Sequence, residues 1–186
     1  MRLVLITPRL EISPLGTDDI PAFVAYRRVP EVARYQSWGA DYSTADAEAL
    51  VAAQPASGIP EPGGWVQLGL RAPAASGGPH LLVGDVAVGV DAEQPDSYEL
   101  GVTLAPAHQG RGYAAEALST VIDWLMSERG AHRIVMQGDA RNTAVLALMG
   151  RLGLRHEGSI VEGDWFKGEW TTLERFALLR REWAAR

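Results

Sequence analysis

A glycine-rich turn is the part of this chain whose residue types and spacing favour chemistry. Its sequence is Gln109-Gly110-Arg111-Gly112-Tyr113-Ala114. An extended stretch, Tyr98 to Leu104, precedes it, and an amphipathic stretch to Arg129 follows it. This order predicts a strand, a turn and a helix N-terminus. The first helical turn has backbone N–H groups without partners in the helix, and glycines let an anion approach them closely. The turn is therefore predicted to bind phosphate.

Three nucleotide-binding motifs compete for this turn. A Walker loop needs a lysine and a hydroxyl residue after its glycines, and the chain has one lysine in all, Lys167. The pattern Gly110-x-Gly112-x-x-Ala115 matches a dinucleotide fingerprint, but in that motif the first glycine directly follows a strand near the start of a βαβ unit. Here residues 105–109 intervene, and the motif lies past the middle of the chain. The third motif, Gln-x-x-Gly-x-Ala after an apolar strand, agrees with its surroundings from Gln109 to Ala114.

The elements that must position the turn alternate between strands and helices. Leu118, Val121, Ile122 and Leu125 stand at helical spacing, which predicts that the helix after the turn packs one face on a sheet. Clusters of Pro, Gly, Ala and Ser predict two loops. These loops are Pro55–Gly64 and Pro73–Pro79. The predicted strands are Arg9–Leu15, Trp65–Arg71, Leu81–Val90, Tyr98–Leu104, His132–Gln137, Leu154–Val161 and Trp170–Leu179, the last two pairing across a loop rich in tryptophan and glycine.

Three further helices are predicted from their ends. Thr17-Asp18-Asp19 supplies an N-cap and first-turn acids for a helix to about Arg28. Ser43-Thr44 with Glu48 begins another that runs to about Gln54. Asn142 begins a shorter helix that stops at Gly153, a residue suited to the C′ position. The apolar face of this last helix is Val145, Leu148, Met149 and Leu152.

Composition excludes several classes of function. The chain has 186 residues, 47% of them hydrophobic, which predicts a single domain over residues 1–186 with a real core. It has no cysteine, and its histidines lack metal-ligand spacing, so no metal is expected. A net charge of −6 disfavours nucleic acid and is compatible with a cationic amine. No apolar run approaches the roughly 18 residues that cross a bilayer, and no signal peptide begins the chain, so a cytoplasmic location without membrane contact is predicted.

The neighbourhood of the turn resembles the GNAT superfamily of N-acetyltransferases, and within it the RimJ/RimL-like branch. The resemblance covers nearly the whole chain and implies an α/β fold, with a mixed, mostly antiparallel twisted sheet of about six to seven strands, splayed in the middle and flanked by about four helices. The matching segments are Thr7-Pro8-Arg9-Leu10, Tyr98 to Leu104, Gln109 to Ala117, Asn142, Arg151-Leu152-Gly153-Leu154-Arg155 and Lys167-Gly168-Glu169-Trp170.

The resemblance implies transfer of an acetyl group from acetyl-CoA to a primary amine, protein N-terminal or small-molecule, by direct attack in a ternary complex. The alternatives are a non-catalytic acyl-CoA-binding module and an NAD(P)-linked oxidoreductase. The expected partner is a peptide or small-molecule amine, and a homodimer is left open. Coenzyme A is expected to place its pyrophosphate on the turn and its pantetheine amides along the preceding strand. The implied cofactor-binding residues are Val102, Thr103, Leu104, Gln109, Gly110, Arg111, Gly112, Tyr113, Ala114 and Asn142.

Glu99 is the candidate base. If Leu100, Val102 and Leu104 face one side of the strand, Glu99 faces the other, and a carboxylate there would deprotonate the acceptor directly or through water. An equal alternative is a structural glutamate that holds an arginine or a backbone amide.

Other residues have weaker assignments. Asn142 has an alternative role as a helix N-cap. Related enzymes often place a serine and some place a tyrosine acid where this chain has Val145 and Met149, so acid catalysis either comes from water or elsewhere or is dispensable. The residues expected to line the acceptor side are Tyr35, Trp38 and Trp165.

Overall fold

Eight strands of the described residues form one sheet in the order β1-β2-β3-β4-β5-β6-β8-β7. The computed structural model describes residues 2–74, 80–94 and 96–186. The strands are β1 Leu5–Ile6, β2 Glu11–Pro14, β3 Trp65–Ala72, β4 Leu81–Val90, β5 Ser97–Leu104, β6 Arg133–Asp139, β7 Arg155–Phe166 and β8 Glu169–Leu179. The helices are α1 Ile20–Arg27, α2 Pro30–Ala33, α3 Thr44–Ala53, α4 Tyr113–Ser127, α5 Thr143–Arg151 and α6 Arg180–Trp183.

The sheet separates between its two central strands. β5 and β6 form its parallel pair, joined through α4, and the other neighbours are antiparallel. The pairing of β5 with β6 joins Ser97–Glu99 to Arg133–Val135. Beyond that point β5 continues to Leu104 along β4, while β6 continues to Asp139 along β8. The predicted splay of a mixed, mostly antiparallel sheet is therefore confirmed.

Two apolar clusters cover the two faces of this sheet. The larger one joins α4 and α5 to the sheet through the predicted stripe of Leu118, Val121, Ile122 and Leu125. The smaller one, centred on the fully buried Phe23, joins α1 and α3 to the opposite face. The adjacent residues Leu82 and Val83 belong to different clusters, as the alternation of a strand requires.

Several predicted boundaries were wrong. In the described part of the chain, eight strands replace six to seven because Leu5–Ile6 adds a short edge strand. Six helices there replace about four because α2 and α6, each a single turn, were missed. The N-terminal strand begins at Glu11 rather than Arg9. The last two strands do not pair across a long loop. They extend to Phe166 and from Glu169, leaving only Lys167 and Gly168 as the turn.

The helix caps also differ from prediction in detail. Ser43 is the N-cap of α3, but its capping partner is Asp46 and not Glu48, because Asp46 stands at the N3 position where a side chain reaches back to the cap amide. Thr17–Asp19 form a 3-10 turn before α1, and Asp19 accepts from Gly16 N and pairs with Arg71. Residues 75–79 of the predicted loop Pro73–Pro79 lie outside the described residues.

Within the described ranges, no helix combines the length and apolar character needed to cross a membrane. The same ranges hold no group of three or more His, Cys, Asp or Glu side chains arranged to bind a metal ion.

Candidate active site

A cleft of about 780 Å³ opens where β5 and β6 diverge. The glycine turn and the start of α4 form one end, α5 lies beside β6, and α2 forms part of the wall on the other face of the sheet. Its lining includes Gly101–Leu104, Gln109, Gly110, Gly112, Ala114, Met136–Asp139, Asn142, Val145, Met149, Glu31, Tyr35 and Gln36.

The glycine turn has the conformation that an anion-binding site requires. Gly110 and Gly112 have φ values of 72° and 82°, in the left-handed region that favours glycine. Gly112 is the N-cap of α4, and the first helical bond is donated by Glu116 N to Gly112 O at 3.1 Å. The backbone N–H groups that precede Glu116 at the start of α4 are thus available to a ligand. A Cβ at Gly110 would meet no atom of the described residues within 4 Å, so this side of the turn is open. These residues fit a pyrophosphate.

An arginine from the N-terminal segment holds the turn in place. Arg9 Nη1 donates to Arg111 O at 2.8 Å, and Arg9 Nε donates to Glu116 Oε2 at 2.6 Å. Thr7 Oγ1 donates to Glu116 Oε1 at 2.5 Å. Burial alone would raise the pKa of Glu116, but these hydrogen bonds and the Arg9 charge lower it. Glu116 is therefore a charged structural residue, and the Thr7-Pro8-Arg9-Leu10 segment serves the turn.

Two residues of the predicted cofactor set lie outside the cleft lining defined by the described residues. Arg111 is exposed, and its carbonyl accepts from Arg9. Tyr113 packs against the larger core, with the Arg9 guanidinium 4.7 Å from its ring centroid.

The backbone of β5 is oriented to receive an extended ligand. Asp91 N donates to Ser97 O at 3.0 Å and Ala105 N to Val83 O at 2.9 Å. In an antiparallel pair the hydrogen-bonded residues alternate, so the odd-numbered residues of β5 bond to β4. Val102 and Leu104 therefore direct their N–H and C=O groups toward the gap. Thr103 bonds to β4 instead, and this buried residue also belongs to the cleft lining.

Gln109 stabilises the end of this strand. Its Nε2 donates to Leu104 O at 3.1 Å, which ties the turn to the strand before it. The carbonyl of Leu104 is thus shared with a side chain, and Val102 presents the more open backbone donor and acceptor for the amides of a pantetheine arm.

Asn142 lies at the cleft and caps α5. Its Oδ1 accepts from Val145 N at 3.3 Å, which is the capping role that its residue type predicts. Val145 also lines the cleft, and Met149 is fully buried in the larger core beneath it. Neither side chain can donate a proton to a leaving thiolate.

Glu99 lies at the point where the two central strands separate. It pairs with Val135 in the last register position before the gap, and its Oε1 accepts from Gln137 Nε2 at 3.0 Å. Burial raises the pKa of Glu99, and this effect outweighs the Gln137 hydrogen bond and the attraction of Arg175, which lower it. Gln137 and Gly101, on the same face of the sheet, line the cleft. The carboxylate is thus next to the cleft lining rather than part of it.

The three residues predicted for the acceptor side lie in different places. Tyr35 lines the cleft, and its ring faces the guanidinium of Arg34 at 5.2 Å. Trp38 packs 3.6 Å from the guanidinium of Arg27 and donates to the Arg27 carbonyl, in the smaller core. Trp165 is 60% exposed and packs edge-to-face on Trp170 near the end of β7. The cleft lining, within the described residues, includes Tyr35 and neither tryptophan.

Comparison with known proteins decides the family. The sequence profile described as the acetyltransferase (GNAT) domain matches residues 9–155. The chain belongs to the GNAT acetyltransferase family. This assignment confirms the resemblance drawn from the glycine turn and its surroundings. It argues against the alternative of an NAD(P)-linked oxidoreductase.

One curated relative and two solved structures show the extent of the similarity. An uncharacterized N-acetyltransferase, YnaD of Bacillus subtilis, is 30% identical over 47% of this chain and 51% of its own length. A spermidine N-acetyltransferase structure from Vibrio cholerae, with CoA and spermine, has a TM-score of 0.80 at 18% identity, covering 96% of this chain and 99% of that one. RimL, a ribosomal alpha-N-protein acetyltransferase in complex with coenzyme A, has a TM-score of 0.79 at 14% identity, covering 95% of this chain and 98% of that one.

These matches differ in what they establish. The chain spans about half the length of the curated relatives that it matches. The structural similarities extend over nearly the whole chain and show the GNAT fold.

Sequence reasoning missed several polar residues of the cleft lining, among them Glu31 and Gln137. Glu31 belongs to α2, for which the available signal was Pro30 at the first helical position. Gln137 interrupts the apolar run of β6, and it stands opposite Arg175 of β8. A polar residue inside a buried strand was the sign that the strand borders a cavity.

Proposed function

We propose that this protein, acting as a single domain over residues 1–186, transfers an acetyl group from acetyl-CoA to a primary amine in a ternary complex. The observation that carries the proposal is the cleft between β5 and β6, which has an anion-binding glycine turn at one end and a half-buried carboxylate beside it. When bound, acetyl-CoA would supply an activated thioester carbonyl.

Each part of the chain has a distinct task in this proposal. The turn and the α4 N-terminus bind the pyrophosphate, and the β5 backbone at Val102 aligns the arm as an added strand would. Such alignment would bring the thioester toward the separation point, and orientation of the reacting groups there would lower the barrier substantially. The acceptor approaches from the α2 side, past Glu31 and Tyr35.

Glu99 is the group to which we assign proton acceptance. An amine arrives as an ammonium and must lose a proton before its nitrogen can attack the carbonyl carbon. Burial raises the pKa of Glu99 toward neutral pH, which makes its carboxylate a stronger base and suits a general base. Cleavage of the carbon–sulfur bond would release a thiolate, a good leaving group, and would be accompanied by loss of the second nitrogen proton to water. Val145 and Met149 cannot donate a proton, so the thiolate would be protonated by water.

The cleft chemistry favours a cationic acceptor. Glu31 and Glu99 place two carboxylates at or beside the cleft, and the chain carries a net charge of −6. The names of the relatives suggest polyamines and protein N-termini as the first classes to test. The cytoplasmic location remains a prediction from the sequence, and a homodimer remains open.

A thiol-release screen tests the proposal. Acetyl-CoA is supplied with spermidine, spermine, peptides with free N-termini and the same peptides with blocked N-termini as matched controls. We expect thiol release that depends on a free amine, with the acetylated product identified by mass spectrometry. Calorimetric binding of coenzyme A without release for any amine would instead support the non-catalytic binding module.

A further inference from the structure

The turn between β7 and β8 contains an unusual residue. It consists of Lys167 and Gly168, with φ values of 49° and 87°, between the paired Phe166 and Glu169. A two-residue hairpin turn with both residues at positive φ favours asparagine, aspartate or glycine. A lysine in this conformation violates the local preference, and such violations mark positions where the side chain has another task.

The Lys167 side chain joins the hairpin to the segment after α2. Its Nζ donates to Ala33 O at 2.6 Å and to Trp38 O at 2.7 Å. Ala33 is the last residue of α2, where carbonyl groups lack helical donors and a cation is favourable. A single ammonium thus holds both ends of the Ala33–Trp38 segment.

That segment and α2 form the wall of the cleft on the acceptor side. Glu31, Val32, Tyr35 and Gln36 all line the cleft. α2 has four residues, too few to be stable on its own, so its position depends on tertiary contacts. Of the two carbonyl groups that Lys167 contacts, that of Ala33 lies at the end of α2 and that of Trp38 lies just beyond Gln36.

We propose that Lys167 is a positioning residue that holds the α2 wall in place and thereby sets the affinity for the amine acceptor. The inference rests on the proposed function for its effect on the reaction, but the contact itself is independent of that function. Lys167 lies at neither the glycine turn nor the β5 backbone, so coenzyme A binding does not depend on it.

Two substitutions separate this role from the stability of the turn. Lys167→Asn removes the ammonium and places at the turn a residue that tolerates its backbone conformation. Gly168→Asn is the matched control, because it changes the neighbouring position, where a Cβ meets no described atom within 4 Å, and keeps Lys167. Both variants are expected to fold, and Lys167→Asn is expected to have the lower Tm, because it alone loses the two hydrogen bonds of the ammonium.

The kinetic test uses the amine identified by thiol release. Losing two charge-assisted hydrogen bonds is expected to raise KM for that amine by roughly tenfold or more in Lys167→Asn, because the α2 wall is then no longer held beside the acceptor. The kcat and the Kd for coenzyme A should stay within about twofold of wild type, as should all values for Gly168→Asn. An unchanged amine KM in Lys167→Asn overturns the proposal.

Hydrogen exchange followed by mass spectrometry provides a test without turnover. In Lys167→Asn, amides of residues 29–42 should exchange faster than in wild type and in Gly168→Asn, whereas residues 109–117 should be unchanged. Equal exchange of residues 29–42 in all three proteins overturns the proposal. If wild type acetylates no amine but Lys167→Asn shows the faster exchange, the proposed function fails and the positioning contact stands.

Discussion

At the scale of single residues, the proton-accepting role that we propose for Glu99 depends on its position in the sheet. It is the last residue of β5 that pairs with β6, so its carboxylate lies where the sheet opens. Partial burial raises its pKa, and the hydrogen bond from Gln137 fixes one oxygen. The alternative of a purely structural glutamate would also explain the Gln137 contact, so the pH dependence of the rate must separate the two.

Replacing Glu99 by glutamine should lower kcat at pH 7 by ~10²- to 10⁴-fold and leave coenzyme A affinity nearly unchanged. Because burial raises the pKa of Glu99, the acidic limb of the wild-type profile should lie above the ~4.3 of an ordinary glutamate. Below that limb the carboxyl is protonated and accepts no proton, so the rate falls as pH falls. The loss in Glu99→Gln should shrink at high pH, where the amine arrives neutral.

The measurement is a pH–rate profile of wild type, Glu99→Gln and a control, Glu128→Gln, which changes an exposed glutamate at the end of α4. The control profile should coincide with wild type. A Glu99→Gln enzyme with wild-type kcat at pH 7 would return Glu99 to a structural role.

At the scale of elements, the strand, turn and helix around Gly112 form one binding unit. The turn has no charged side chain aimed into the cleft, since Arg9 is bonded to Glu116 and the exposed Arg111 lies outside the lining formed by the described residues. The backbone N–H groups and the helix dipole are therefore expected to supply most of the phosphate affinity.

Gly112→Val should weaken coenzyme A binding much more than Arg111→Ala. Valine is β-branched and unfavourable at a φ of 82°, and its Cβ would lie 3.3 Å from the Arg9 guanidinium that holds the turn. The strain is on the order of 1–3 kcal/mol, whereas an exposed arginine contributes ~0.2–1 kcal/mol. Calorimetric titration of both folded variants decides between backbone and side-chain binding, and equal losses would favour the side-chain charge.

At the scale of the whole molecule, the separation of β5 from β6 makes the cleft continuous from the glycine turn to α2. The larger apolar cluster already joins the strands on both sides of the gap, and a ligand that fills the gap would add contacts to both β5 and β6. Binding to the folded state alone must then raise the stability of the protein.

Acetyl-CoA should therefore raise the Tm, and NADH and ATP should not. At a ligand concentration a hundredfold above the dissociation constant the stabilisation is about 2.7 kcal/mol. For a protein of this size, each kcal/mol raises the Tm by roughly 2–4 °C, so a shift of roughly 5–11 °C is expected. Thermal denaturation with each ligand measures it, and Gly112→Val should show a smaller shift. A shift with NADH and none with acetyl-CoA would contradict the proposed function.

Local rules are sufficient to predict much of the binding unit. The glycines of the turn, the apolar stripe of α4 and the cap at Asn142 each depend on residues within a few positions of one another, and each is confirmed. The same local rules failed at α2 and at the last hairpin. A one-turn helix has almost no periodicity, and a strand that continues through Asp164 and Trp165 to a lysine turn violates the usual turn preferences.

By itself, the sequence determined the family resemblance, the sheet-and-helix class and the place of the glycine turn before α4, because these follow from short-range spacing and residue type. Only the tertiary structure decided which distant residues meet. It brought Arg9 to Glu116, Gln137 to Glu99 and Lys167 to the end of α2, and it placed Trp38 against Arg27 rather than in the cleft lining. Such contacts join residues far apart in the chain, and their partners depend on strand order and register, which short-range pattern does not specify.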